Sequence, residues 1–248
     1  MKMLINAEYQ NLEDFLKRLP VIFEQEGKSI YKSRNELKIF EQDGLSLNVK
    51  RYRKPIWVNR VAYTFFRKSK ARRAYENALT LLEKGFETPM PVAYLEMKES
   101  GILKDSYFVA LHCPYKRLFR EFADGSSIDG REEIIQSFGV LLARLHEANI
   151  FHLDLSVGNI LFDKLQDGYH FSLVDLNRMK FKKIQLKDGC QNFERLRGSD
   201  DFFILLAKIY ANERGFDVET CIKLVLEAHQ KSLLRFKRKR YLKKAIFR

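Results

Sequence analysis

Cysteine is scarce in this sequence: Cys113, Cys190 and Cys221 are scattered, odd in number and never in C-x-x-C spacing. That argues against a disulfide scaffold and against a zinc site, and the expected compartment is a reducing cytoplasm. Long apolar runs are missing too, since no stretch approaches the roughly 18–20 consecutive apolar residues that cross a bilayer. Met1–Pro20 carries Glu and Asp among its apolar residues and lacks the core of a signal peptide. Internal repeats and low-complexity tracts do not occur, and only five prolines punctuate the chain. What is present is 248 residues, 46% of them hydrophobic, enough for a substantial core and for one large domain or two fused lobes.

Acidic residues are absent from two segments where basic ones crowd. Lys50–Arg73 holds ten Lys/Arg and Lys231–Arg248 holds nine, whereas the whole chain has 45 basic and 32 acidic residues, a net +13. Outside these two segments the chain is therefore net acidic. Concentrated positive charge of this kind meets phosphate, in nucleic acid, anionic lipid or a polyanionic substrate.

Along the first half, strands are expected at Ser29–Tyr31, Glu36–Phe40 and Leu45–Arg51, separated by turn signals at Lys32–Asn35 and Asp43–Gly44. Helices are expected over Ile56–Phe66 and Ser69–Lys84, the second capped by Ser69 and stopped by Gly85. Two more strands follow Pro89 and Pro91, at Val92–Met97 and Tyr107–Leu111, joined through Glu99–Gly101. The second half reads as helices over Glu132–Ala148, Asp200–Asn212 and Val218–His229, with short apolar runs at Ile160–Phe162 and Phe171–Val174 around the turn Asp167–Gly168. The expected fold is α+β: an antiparallel-sheet N-lobe over about 1–111, a linker over about 112–116 and a mainly helical C-lobe over about 117–248, with a cleft as the consequence.

The chemistry is concentrated in Phe151-His152-Leu153-Asp154-Leu155-Ser156-Val157-Gly158-Asn159-Ile160-Leu161-Phe162. Here H-x-D is followed by Asn five residues after the Asp, and Val174-Asp175 comes sixteen residues beyond Asn159. In protein kinases this set is a catalytic-loop Asp acting as base, with an Asn and a second Asp as Mg²⁺ ligands. Phosphoryl transfer from ATP needs a carboxylate to orient the acceptor hydroxyl and hard oxygen ligands to hold the cation against the phosphates.

At these residues the chain resembles the protein-kinase-like superfamily, and more closely the lipopolysaccharide core kinases that phosphorylate Kdo or heptose. The resemblance covers roughly residues 28–210. It is carried by Leu47-Asn48-Val49-Lys50-Arg51-Tyr52, by Ser69 through Glu76, by the loop from His152 to Asn159, and by Val174-Asp175-Leu176-Asn177-Arg178. It implies that Lys50, ending the third strand, reaches the α- and β-phosphates and that Glu76 pairs with Lys50. Asp154 would be the catalytic base, Asn159 and Asp175 the metal ligands, and His152 a scaffold for the loop. Leu111, His112 and Cys113 occupy the linker position that reads adenine. Arg51, Arg53 and Lys54 remain alternatives to Lys50.

Two parts of the family pattern are missing. No Gly-rich phosphate loop stands between the first strands, where Lys32-Ser33-Arg34-Asn35 occurs instead; backbone amides around Ser33, or Arg34 itself, would cover the phosphates. D-F-G is replaced by Asp175-Leu176-Asn177 and no A-P-E follows, which argues against a peptide-substrate platform. The expected activity is thus an ATP- and Mg²⁺-dependent (Mn²⁺ as the alternative ion) sugar kinase of the lipopolysaccharide inner core. It would act on a lipid A-linked acceptor and sit peripherally on the anionic cytoplasmic face of the inner membrane. Neither nucleic acid nor an obligate protein partner is expected. A kinase for a protein or small-metabolite acceptor, and a non-catalytic basic binding module, stay open as competitors.

Overall fold

The computed structural model of the chain describes residues 1–53, 67–123 and 128–246; the helix expected over Ile56–Phe66 lies outside them. The residues fall into two compact units, Met1–Pro114 with Asp175–Arg178, and Tyr115–Val174 with Met179–Arg248. The four residues from Asp175 therefore belong to the N-terminal unit, although the C-lobe was expected to take everything past the linker.

The first unit is built on six antiparallel strands: β1 (Lys2–Ile5), β2 (Lys28–Lys32), β3 (Asn35–Gln42), β4 (Leu45–Tyr52), β5 (Pro91–Glu99) and β6 (Ile102–Leu111), in the order β1-β5-β6-β4-β3-β2. Asp43-Gly44 and Ser100-Gly101 close two-residue hairpins with positive φ at both positions, the turn whose twist matches that of the strands. Side chains alternate across β4: Leu47, Val49 and Arg51 go to one face, Asn48, Lys50 and Tyr52 to the other. The first face is covered by α1 (Glu13–Ile22), which buries Leu12, Phe15, Leu16, Leu19 and Phe23 against Phe40, Leu47, Val49 and Val109.

Neither β1 nor α1 was expected from the sequence. β1 is four residues on the sheet edge, too short to show a period. Pro20 lies inside α1 and reads as a breaker, worth about 3 kcal/mol against a helix interior. Five buried apolar side chains at helical spacing, each contributing roughly 1.5–3 kcal/mol, outweigh it. Lys50 accordingly stands on the fourth strand, not the third.

The opposite face of the sheet carries α2 (Lys70–Glu83), capped where Ser69 Oγ accepts from the Arg72 amide and ended at Gly85, whose φ is +75°. Its Ala71 and Tyr75 pack on Tyr52 and Tyr94 of the sheet.

The second unit is organised around α3 (Arg131–Glu147). Three strands, β7 (Arg117–Leu118), β9 (Ile160–Leu165) and β10 (Gly168–Leu173), form one small sheet, while β8 (Ile150–His152) pairs with β11 (Met179–Phe181). Then come α4 (Leu186–Asn192), α5 (Asp200–Arg214) and α6 (Val218–Ile246). The last helix runs 17 residues beyond the expected His229. No Gly or Pro interrupts it, and Lys and Arg are good helix formers in water. Phe138, Phe162, Phe171 and Phe202 pack around Phe119 in tilted and edge-on contacts as an aromatic core.

Candidate active site

Strand alternation selects among the basic residues of β4. Arg51 turns to the α1 face, where it is buried over the Phe23 ring and bonded to Glu24 and, at 2.8 Å, to Glu36. It is thereby committed to structure. Lys50 turns to the other face, over the Tyr52 ring at 5.4 Å. Its Nζ lies 2.6 Å from Asp175 Oδ1. The same carboxylate oxygen accepts from Asn177 Nδ2 at 2.5 Å, and Asn77 of α2 anchors the segment by donating to the Leu176 carbonyl at 2.6 Å. Asp175 has φ +60°, a left-handed conformation that, glycine aside, Asn and Asp tolerate better than most side chains.

The expected Lys50–Glu76 pair is corrected. Glu76 is bonded to Lys68 at 2.8 Å and to Arg72, one helical turn away, at 2.9 Å. Burial pushes its carboxyl up, but these two cations prevail and hold it below the usual range. Glu76 has two nearer cations, and Lys50 has the partly shielded Asp175.

Another cation, Lys70, stands on this face at the start of α2, 5.8 Å from the Tyr52 ring. Burial first, then the charges of Arg34, Arg73 and Lys50, depress its ammonium below the ordinary lysine range, against the pull of Asp175. Cations thus outnumber the Asp175 carboxylate there, a field suited to a polyanion. Ser33 and Arg34 sit in the β2–β3 turn, exposed, with the Ser33 amide donating to the Asn35 carbonyl and the Arg34 amide to Ser33 Oγ. Arg34 and Lys70 offer side-chain charge where a Gly-rich loop would offer amides. Lys70 was within the Ser69–Glu76 motif but carried no sequence signal separating it from its basic neighbours.

At the end of β6, the Leu111 amide donates to the Met90 carbonyl at 2.9 Å and the His112 amide to the Ser46 carbonyl at 2.8 Å. His112 Nδ1 lies 3.2 Å from Asn48 Oδ1, and Cys113 is buried. With their amides engaged, Leu111 and His112 could address a purine edge through their carbonyls.

In the second unit, the catalytic loop is built as one hydrogen-bonded piece. His152 is fully buried; its Nδ1 accepts from the Asp154 amide at 3.1 Å, so Nε2 carries the proton and donates to the Val174 carbonyl, also at 3.1 Å. Asn159 Nδ2 donates to the Asp154 carbonyl at 2.9 Å. That bond uses the amide hydrogens and spares the oxygen, the atom a hard cation takes. Asp154 Oδ1 is bonded by the Arg195 guanidinium. Asn192 donates to the His152 carbonyl at 2.9 Å, while its oxygen faces His146 Nε2 at 3.1 Å; His146 Nδ1 faces the Tyr210 hydroxyl at 2.8 Å. Asn192 Oδ1 can only accept, so His146 Nε2 carries the proton and Nδ1 accepts from Tyr210. Gly189 is what lets Tyr210 in: a Cβ there would lie 2.1 Å from the hydroxyl. Arg195, Asn192 and His146 had no legible motif, because their roles depend on helices brought together by folding.

Burial, against a smaller opposing effect of the Asn192 bond, lowers His146 to about 4. An unfolded histidine titrates near 6.5, so between these values the unfolded chain binds the extra proton and stability falls as pH drops. We predict that chemical denaturation midpoints fall between pH 7 and 4.5 and that His146→Phe flattens this segment. The full effect is about 3 kcal/mol at 1.36 kcal/mol per unit. An unchanged pH slope in the variant would locate the effect elsewhere.

Among the described residues no group of three His, Cys, Asp or Glu side chains could hold a metal ion. Asp175 offers a carboxylate in the first unit and Asn159 an amide oxygen in the second, and each is a hard oxygen donor of the kind that Mg²⁺ or Mn²⁺ takes. No helix among the described residues is long and apolar enough to cross a membrane.

Comparison with known proteins adds the following. The chain is 31% identical over 139 residues to a 3-deoxy-D-manno-octulosonic acid kinase of Xanthomonas oryzae pv. oryzae (strain PXO99A), covering 56% of this chain and 51% of that one. It is 27% identical over 159 residues to the enzyme of the same name from Vibrio parahaemolyticus serotype O3:K6 (strain RIMD 2210633), covering 64% and 63%. The chain thus spans about half the length of the Xanthomonas relative. The solved structure of WaaP in complex with acyl carrier protein superposes with a TM-score of 0.65 at 15% identity, over 94% of this chain and 98% of that one. The shared fold is α+β and protein-kinase-like, as expected. The model of the lipopolysaccharide kinase (Kdo/WaaP) family matches residues 17–207, most of the chain, and the chain belongs to that family.

Proposed function

We propose that the chain is a kinase that transfers the γ-phosphoryl group of ATP to a sugar hydroxyl, Kdo or heptose, of the lipopolysaccharide inner core. The observation that carries this is the catalytic loop, in which His152 and Asn159 both fix the Asp154 backbone and so aim its carboxylate. In this reading Asp154 takes the acceptor hydroxyl proton as the new oxygen–phosphorus bond forms and the bond to ADP breaks. Lys50, with Lys70 and Arg34, neutralises phosphate oxygens. Asp175 and Asn159 hold the divalent ion, which when bound supplies positive charge against the phosphates. Glu76 fixes Lys68 and Arg72 rather than Lys50.

The acceptor class rests on family membership and on the relatives' names. Peripheral location on an anionic membrane is supported by α6, where Leu233, Leu234 and Phe236 are exposed among Lys231, Arg235, Lys237 and Arg238. Acyl carrier protein, present in the WaaP structure, is a partner to test by co-purification. The test of function is incubation of the purified chain with ATP, Mg²⁺ or Mn²⁺, and a Kdo- or heptose-bearing lipid A acceptor. A gain of one phosphoryl group on the sugar, seen by mass spectrometry, is expected; metal-dependent ATP turnover with no sugar product would redirect the reading to another acceptor.

A further inference from the structure

The second unit contains a cavity of about 540 Å³, within the range of small-molecule sites. It opens between α4, the turn Phe193–Arg195 that follows it, and α6. Leu153 of the catalytic loop is part of its wall, next in sequence to Asp154. Four cations line it, Lys187, Arg195, Lys231 and Arg235, against two carboxylates, Glu194 and Glu227. The carboxylates are already engaged, Glu194 with Arg235 at 3.1 Å and Glu227 with Lys231 at 3.6 Å. Lys231, Arg235 and Glu227 are exposed and Glu194 is half-buried, and ion pairs with exposed partners hold little energy.

Arg195 is the informative member. It lines the cavity and at the same time bonds Asp154 Oδ1. A carboxylate whose lone pairs face a guanidinium is poorly placed to accept a hydroxyl proton. An acidic group in the cavity would give the guanidinium a second anion, in the forked geometry for which arginine is suited.

We propose that this cavity is the acceptor subsite and that it reads an acidic substituent, carboxylate or phosphate, on the sugar to be phosphorylated. Arg195 is shared between that substituent and Asp154 and so acts as a positioning residue that couples acceptor binding to release of the base. The inference rests on the kinase reading and deepens it by placing the residues that read the acceptor's acidic group and by naming Arg195 as their link to Asp154. The cations of α6 then serve recognition at its Lys231–Arg235 turn, while the apolar residues Leu233, Leu234 and Phe236 remain for a lipid surface.

Calorimetric titration of the full chain with free 3-deoxy-D-manno-octulosonic acid, its methyl ester, mannose 6-phosphate and mannose tests this without requiring turnover. The acid should bind roughly tenfold or more tightly than its ester, or the phosphate than mannose, as expected for one charge-assisted contact; which pair discriminates identifies the anion. The variant Lys187→Gln/Arg235→Gln should lose that discrimination while binding the neutral sugars as before and melting at a similar temperature. In turnover, Arg195→Gln should raise KM for the acidic acceptor and leave KM for the ester unchanged, a split that general loss of structure would not produce. Equal binding of charged and neutral probes by the wild-type chain, no binding of any of them, or discrimination surviving in the double variant would each overturn the subsite. Transfer to lipopolysaccharide acceptor without discrimination refutes the subsite and leaves the kinase standing. Discrimination without transfer refutes the kinase, and with it the acceptor role of the cavity, and leaves only an anion-reading sugar site there.

Discussion

Asp154→Asn is expected to bind ATP with unchanged affinity and to lose roughly a hundredfold to ten-thousandfold in transfer, the range a positioned general base contributes. The substitution is conservative here for structural reasons. Asn159 and His152 bond to the backbone of residue 154, so the loop keeps its shape. The Arg195 guanidinium still finds an oxygen acceptor in the asparagine amide. What is removed is only the capacity to take a proton. The check is a pair of measurements, nucleotide affinity by calorimetry and turnover with acceptor. A fall in both kcat and ATP affinity would mean that Asp154 supports the nucleotide, and near-normal turnover would move the base elsewhere.

The segment that carries Asp154 was legible in the sequence because it is local. His152, Asp154 and Asn159 lie within eight residues, and the two bonds that fix the Asp154 backbone close inside the segment. The sheet was equally legible where hairpins are tight, since Asp43-Gly44 announces its turn and fixes the register of β3 on β4. Long-range partners were not. Glu76 stands at the position the family pattern assigns to the lysine's partner, yet Lys68 and Arg72 reach it first. Arg195 is 41 residues from Asp154, in a basic turn with no periodicity to mark it. The C-terminal basic segment also fits a helix in the sequence, but its continuity with the Val218–His229 helix as one element was not legible, because a polar, cationic sequence shows its helical period weakly.

Asp175 joins an ion pair to a left-handed backbone and is the metal ligand in the proposed function, and two substitutions separate these roles. Asparagine tolerates the left-handed φ of +60° and can still accept from Asn177. It leaves the Lys50 ammonium without its counter-charge. That ion pair is about three-quarters shielded, with side-chain exposures of 20% and 27%. It therefore lies between exposed pairs, worth up to about 1 kcal/mol, and fully buried ones, whose disruption costs about 3–5 kcal/mol; a loss of roughly 1–2 kcal/mol in stability is expected for Asp175→Asn. Alanine adds the cost of a left-handed residue without a compensating side chain, about 1–2 kcal/mol more. Melting temperatures should therefore fall in the order wild type, Asp175→Asn, Asp175→Ala. ATP binding divides differently. Both variants lose the carboxylate that would hold the cation, so both should lose the enhancement of ATP affinity by Mg²⁺. Transfer should drop on the order of 10³-fold, as several kcal/mol of charge stabilisation at about 1.4 kcal/mol per factor of ten requires. Calorimetric titrations of ATP with and without Mg²⁺ read the effect directly. Were Asp175→Asn to keep the full Mg²⁺ enhancement, Asp175 would be only the structural partner of Lys50, and the metal site would have to be built from other oxygens.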